Sequence, residues 1–190
     1  MESTCFIHLT LIRHGITSYN VEKRYLGHTD IPVIEERMHE CESVCQPDVV
    51  YSSDLKRCRQ TAHYLFGEKN IHCDARLREM NFGDYEGKTY DQLKDEPHYR
   101  QWLDDWERTA PLNGESGEQF KRRIQQFIKE EILQDNHCGQ TLAIVSHGGI
   151  IRYIVSSLCN IPYWEVQVQH GKAIDLSVQR VGGNWTCTLL

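Results

Sequence analysis

Two histidines stand where chemistry on an anion is easiest to build. Arg13-His14-Gly15 follows the apolar run Phe6 to Ile12, and Ser146-His147-Gly148-Gly149 follows a second apolar run, Leu142 to Val145. Both imidazoles therefore fall at the carboxyl end of a predicted buried strand, the place where open α/β sheets bind ligands. A phosphate monoester resists water because water is a poor nucleophile toward a dianion, and a covalent intermediate divides that difficult step in two. A neutral imidazole suits the first half, provided the attacking nitrogen is unprotonated. A hydrogen bond from its other nitrogen, for instance to a backbone carbonyl, would hold that tautomer. His14 is the candidate attacker, with Arg13 and a second arginine clamping the transferring oxygens.

Neighbouring segments supply the remaining parts. Asn20, six residues beyond His14, has an amide that can donate to phosphate. Ser52-Ser53-Asp54-Leu55-Lys56-Arg57 forms another strand-to-helix junction, which puts Arg57 in the first turn of a helix. Taken singly, Arg57 reads first as a solvated helix residue, like Lys56 and Arg59, and the phosphate reading gains only through its companions. Hydrolysis also needs a group that protonates the leaving alkoxide and then activates water. One carboxylate can do both in turn, typically for about 10²–10⁴-fold in rate. Glu79, in Leu77-Arg78-Glu79-Met80-Asn81-Phe82-Gly83, and Glu86 both fit, and spacing does not separate them.

The elements that must position these residues alternate between strand and helix. Strands are expected at Phe6–Ile12, Val49–Ser52, Ile71–Cys73 and Thr141–Ser146, with a terminal hairpin from Ile174–Val181 and Trp185–Leu189 around Gly182-Gly183-Asn184. A short helix is expected over Glu35–Cys45. Another carries Leu55, Cys58, Ala62, Leu65 and Phe66 at helical spacing, with Ser53 as its N-cap. Ser116 with Gln119 makes a capping-box pattern ahead of a stripe of Phe120, Ile124, Phe127, Ile128 and Ile132. Ile150, Ile151, Ile154, Val155 and Leu158 mark the helix after His147. This order predicts an α/β fold, a mainly parallel sheet with helices on both faces, in a single domain over 1–190. Residues 85–117, rich in aromatics and charges and interrupted by Pro97 and Pro111, read as an insertion over the site.

Composition narrows the partners. The net charge of −6 provides no global field for nucleic acid. A small phosphate ester, gathered by local cations, is the expected substrate. No run approaches the ~20 apolar residues of a membrane span, and no targeting signal is visible, so a cytoplasmic location and reduced thiols are expected for the eight cysteines. Cys58, Cys73, Cys138, Cys159 and Cys187 read as small apolar residues or loop thiols. Cys41 and Cys45 with His39 form the one grouping with a metal-like spacing, but no second ligand pair accompanies them and no metal is expected.

Taken together, these segments resemble the histidine phosphatase superfamily, in its phosphoglycerate mutase-like branch. Arg13 to Asn20 is similar to the signature after the first strand, Gly27 to Pro32 to the loop that follows, and Tyr51 to Ala62 to the phosphate-arginine segment. Leu77 to Gly87 is similar to the acid-base segment and Val145 to Gly149 to the second-histidine segment. The resemblance implies His14 as the phosphorylated nucleophile, with Arg13, Arg57 and His147 as the phosphate pocket. Between the two glutamates it implies Glu79 as proton donor and acceptor. It implies substrate contacts from Asn20, the loop at Gly27 and the backbone at Gly148, and no metal or organic cofactor. Two departures stand out: Ile16 replaces the usual Glu, and Val33 to Pro47 is shortened.

The chain lacks the long insertion of the cofactor-dependent mutases, which favours hydrolysis over phosphoryl re-transfer. Trp102 to Trp106 followed by Pro111 to Ser116 is similar to the α-ribazole 5′-phosphate phosphatases of cobalamin nucleotide-loop assembly. That similarity makes Trp102 and Trp106 candidates for stacking on an aromatic base, or else simple anchors of the insertion. A broad-specificity sugar phosphatase and a non-catalytic phosphate-binding module are the alternatives. Beyond the ester, the expected partner is at most a second copy of the chain.

Overall fold

The computed structural model describes residues 5–190. Six strands form one sheet in the order β3-β2-β4-β1-β5-β6. They are β1 (Cys5–Arg13), β2 (Val49–Ser52), β3 (Ile71–Cys73), β4 (Thr141–Ser146), β5 (Ala173–Val181) and β6 (Asn184–Leu189). Strands β1 to β4 run parallel, while β5 and β6 form the expected hairpin and add antiparallel to β1. The two apolar runs before the histidines are thus neighbouring strands. Their register pairs Ile12 with Val145 and Arg13 with Ser146, so His14 and His147 leave the sheet side by side.

Strand side chains alternate between faces, and each face has its own core. Ile7, Leu9 and Leu11 of β1 and Leu142 and Ile144 of β4 pack with helices α5 (Gly117–Phe127) and α6 (Gly148–Cys159). Ile12, Val50, Ala143 and Val145 pack on the other face against Cys58, Ala62 and Phe66 of α2 (Lys56–Phe66). The sheet is therefore mixed, with a parallel centre and an antiparallel edge, and is covered by helices on both sides. Residues 85–117 supply α3 (Tyr90–Leu93) and α4 (Pro97–Asp104), and their Tyr85, Leu93, Tyr99 and Trp102 belong to the same core cluster as β1 and β4. A short α1 (Ser18–Val21) follows the first histidine.

Three expectations need correction. The segment expected as a helix over Glu35–Cys45 is a 3-10 helix that stops at Glu40, its core contribution limited to Met38. Ser53 does not cap α2: Leu55 occupies the N-cap position, and the Ser53 hydroxyl is directed to His147 instead. The thiols are not all free, since Cys5 pairs with Cys138 and Cys159 with Cys187. The first pair spans 133 residues and joins the start of β1 to the turn before β4, and the second joins the end of α6 to β6. Neither proximity can be read from local spacing, and the argument for a reducing compartment loses the support it took from free thiols. Among the described residues no helix is long and apolar enough to cross a membrane.

Ser116 does cap α5 as its spacing indicates. Its side chain accepts from the Gln119 amide at 3.3 Å, and Gln119 Oε1 accepts from the Ser116 amide at 2.8 Å. Replacing Ser116 with Ala should cost about 1 kcal/mol of folding stability, readable in a urea titration. An unchanged midpoint would show that α5 is held by its buried stripe alone.

Candidate active site

At the end of β1, the His14 imidazole is buried beneath the loop that follows. Its Nδ1 lies 2.7 Å from the Gly15 carbonyl oxygen. A carbonyl only accepts, so Nδ1 carries the proton and Nε2 keeps its lone pair. Burial pushes the imidazole well below its usual pKa, and Arg57, His170 and Arg13 push in the same direction. The ring is held as the neutral tautomer a nucleophile requires. The Gly15 amide is tied in turn to Thr61 Oγ1 at 2.9 Å.

Arg57 is fully buried, which excludes the solvated-helix reading. Its Nε donates to His147 Nδ1 at 3.3 Å, Nη1 to the Thr29 carbonyl at 2.9 Å and Nη2 to the Gly27 carbonyl at 2.6 Å. The bond from Arg57 leaves His147 Nδ1 as an acceptor, so Nε2–H donates to Ser53 Oγ at 3.0 Å. The rings of His14 and His147 are 5.1 Å apart. His147 is thus beside the nucleophile, with both nitrogens engaged by Arg57 and Ser53. Gly27 is drawn into the site through its carbonyl on Arg57, and a Cβ there would lie 2.1 Å from the Met80 carbonyl.

Arg13 sits on the opposite side. One Nη1 bond goes to the Val168 carbonyl at 2.7 Å, its Nε is buried without a partner, and burial lowers its pKa to about 10. Most of its donors are therefore uncommitted beside His14. Asn20 uses Oδ1 to accept from the amide and hydroxyl of Thr17, at 3.0 and 2.8 Å, which leaves Nδ2 for another acceptor. Arg13, Asn20, Lys23 and His170 line one cavity of about 330 Å³.

Backbone donors place the two glutamates differently. Glu86 accepts from the amides of His28 at 2.7 Å, Thr29 at 2.5 Å and Phe82 at 3.2 Å, so it fastens the Gly27–Asp30 loop. Glu79 instead accepts from the Gly149 amide at 2.9 Å, at the amino end of α6, and from the Met80 amide at 3.0 Å. Its segment is anchored by Arg123 of α5, which donates to the carbonyls of Arg76, Arg78 and Glu79 at 2.6, 2.7 and 2.9 Å. The two glycines after His147 are small for separate reasons. A Cβ on Gly148 would meet the Arg13 guanidinium at 3.2 Å, and one on Gly149 would meet Glu79 Oε1 at 2.4 Å.

Glu79 opens on a second cavity of about 350 Å³, walled largely by aromatic side chains including Tyr25, Phe82, Trp102, Trp106 and Tyr163. Trp102 is 6% exposed and packs edge-on against Tyr25 and Phe82, so it anchors the insertion while presenting part of its ring to the cavity. Trp106 is less enclosed and lies 5.8 Å from the Tyr163 ring and 6.3 Å from that of Trp164.

Sequence reasoning missed several of these residues. His170 stands 5.2 Å from the His14 ring, with its pKa lowered to about 4 by burial. It lies in an irregular segment before β5 that carries no motif. Arg123 is hidden in an ordinary amphipathic helix. Gly149 had a signal, since a Gly pair at a helix start invites a close approach by something.

Two buried histidines at neighbouring ends of the parallel strands, with two guanidiniums and a backbone-held glutamate, form a site of the kind that suits phosphoryl transfer. The chain belongs to the histidine phosphatase superfamily (branch 1), whose profile matches residues 9–189. It is a phosphoric monoester hydrolase. It is 33% identical over 184 residues to an adenosylcobalamin/alpha-ribazole phosphatase of Salmonella typhimurium, covering 88% of this chain and 90% of that one. It is 31% identical over 198 residues to a glucosyl-3-phosphoglycerate phosphatase of Mycobacterium tuberculosis, covering 93% and 86%. The crystal structure of the alpha-ribazole phosphatase from Shigella flexneri superposes with a TM-score of 0.83 at 29% identity, over 96% of this chain and 95% of that one.

Two buried histidines and the half-buried His170, all with lowered pKa values, set a pH dependence of stability. His14, His147 and His170 stay neutral where the unfolded chain is protonated. Between pH ~6.5 and the folded pKa values the unfolded state binds more protons, so stability is full above ~6.5 and is lost as pH falls. The slope is at most about 1.4 kcal/mol per unit for each histidine. Urea titrations from pH 7.5 to 4 should show this fall, and a flat profile would mean that the rings protonate in place. Ring ¹⁵N spectra of His14 should show the Nδ1–H form throughout pH 6–8; a protonation step near 6.5 would contradict the buried tautomer.

Proposed function

We propose that the chain hydrolyses α-ribazole 5′-phosphate, or a close nucleotide-like ester, through a phosphohistidine at His14. The observation that carries the choice of substrate is the aromatic cavity opening beside Glu79. The leaving group must occupy the side from which its oxygen is protonated, and that side is lined by rings suited to an aromatic base.

In the first step His14 Nε2 attacks phosphorus and the ester bond to the leaving oxygen breaks, with Glu79 delivering a proton to that oxygen. Arg13, Arg57 and Asn20 hold the transferring oxygens, and the preorganised guanidiniums stabilise the charge developing in the transition state. His147 acts by orienting Arg57 and by exchanging its Ser53 contact for the phosphate. In the second step Glu79 takes a proton from water, which attacks phosphorus and releases inorganic phosphate with neutral His14. Gly27 and Gly148 serve as contact points through their backbone, Gly27 by steering Arg57 and Gly148 by letting Arg13 close on the site. No step calls for a metal or organic cofactor. The reading carries with it a role in cobalamin nucleotide-loop assembly in the cytoplasm, with no partner beyond the ester and at most a second copy of the chain.

Phosphate release should be measured from α-ribazole 5′-phosphate, 3-phosphoglycerate, common sugar phosphates and phenyl phosphate, with His14→Ala as the blank. A strong preference for the ribazole ester, abolished in the variant, is expected. Similar slow turnover of every ester would move the assignment to a broad-specificity phosphatase. Trp106→Ala should raise KM for the ribazole ester roughly tenfold, since base stacking is worth ~1–3 kcal/mol, and should leave phenyl phosphate nearly unchanged. Equal effects on both would remove the stacking role.

A further inference from the structure

The wall of the aromatic cavity includes two charged side chains, Glu79 and Arg152. Arg152 is half-buried, and its Nε donates to the Val166 carbonyl at 3.2 Å. That bond fixes the plane of the guanidinium. The two terminal nitrogens have no hydrogen-bond or ion-pair partner among the described residues, in contrast to Arg76, Arg78 and Arg123, each held by carboxylates. Neither is shut off from solvent, so both are open to an incoming acceptor. The mechanism above makes no use of it.

Its position along α6 is informative. Gly149, which binds Glu79, and Arg152 are three residues apart and so lie on one helix face. A leaving group whose ester oxygen is at Glu79 enters the cavity that Arg152 lines together with Trp106 and Tyr163.

We infer that Arg152 is a specificity-determining residue that donates through both terminal nitrogens to the vicinal hydroxyl oxygens of a pentose leaving group. The planar fork matches two adjacent oxygen acceptors. A carboxylate would match it equally in shape, but would sit on the same wall as Glu79 and suffer like-charge repulsion that hydroxyls avoid. The inference rests on the proposed placement of the leaving group beside Glu79 and adds the chemical class of its polar half.

The test compares wild type with Arg152→Gln and Arg152→Lys on ribose 5-phosphate, 2-deoxyribose 5-phosphate, 3-phosphoglycerate and phenyl phosphate. Hydrogen bonds from a charged donor correspond to losses of roughly 10–100-fold. Arg152→Gln should lower kcat/KM for ribose 5-phosphate by that factor, mainly through KM, and leave phenyl phosphate within about twofold, which also reports an intact fold. The penalty for removing the 2-hydroxyl should be present in wild type and largely vanish in the variant. Arg152→Lys keeps the charge without the fork and should not restore discrimination between the two pentose esters. Equal losses on ribose 5-phosphate and phenyl phosphate, an undiminished deoxyribose penalty, or a loss greatest on 3-phosphoglycerate would each overturn the assignment. Preference for the ribazole ester itself is a separate measurement, so its failure would retire the proposed substrate without altering these comparisons.

Discussion

The parallel pairing of β1 with β4 is the constraint on which the site depends. It aligns Arg13 with Ser146 and so delivers two histidines, 133 positions apart in the chain, to adjacent points on one sheet edge. A slip of one residue would turn the slipped strand's side chains to the wrong faces, because side chains alternate between faces. The apolar residues on both faces prevent that slip. The hydrophobic cores thereby set the distance between the two imidazoles, though neither ring contributes to those cores in any large measure.

Around this pair the protein spends buried polarity in an orderly way. Arg57 is inside the molecule with no carboxylate bonded to it; carbonyls of Thr29 and Gly27 and a neutral histidine receive its protons instead. A carboxylate partner would neutralise the guanidinium locally, whereas carbonyls orient it and leave its net charge for an anionic substrate. Arg13 follows the same rule with the Val168 carbonyl. Loss of solvation first, and the positive potential of these two groups next, keep His14 neutral, the form that attack on phosphorus would need. The Glu79 side is built from different materials. Glu79 rests on the Gly149 amide at the start of α6, and Arg123 holds its segment from α5.

The insertion shows how one segment serves stability and cavity shape together. Tyr85, Tyr99 and Trp102 complete a core shared with the sheet, and the outward parts of Trp102 and Trp106, with Phe82 just before the insertion, become the wall of the cavity beside Glu79. Shape beside Glu79 is thus inherited from packing, and Arg152 is the one cation on that wall among the described residues.

Much of this was legible in the residues themselves. Strand limits followed closely from alternation and apolar runs, the α5 cap from Ser116 and Gln119, and the position of His14 from the Arg and Gly that flank it, because each is decided by neighbours within a few residues. Local spacing could not choose between Glu79 and Glu86, since both are carboxylates in the same Gly- and aromatic-rich stretch. What sets them apart in the fold is their amide partners from distant parts of the chain, His28 and Thr29 for one and Gly149 for the other. Ser53 looked like a cap because it precedes a helix, but His147, 94 residues later, claims its hydroxyl. His170, Arg123, Arg152 and the pairing of Cys5 with Cys138 belong to the same class. Backbone periodicity and capping are short-range effects that a sequence carries openly, whereas burial, electrostatic company and hydrogen-bond partnership arise only when the sheet brings remote segments into contact.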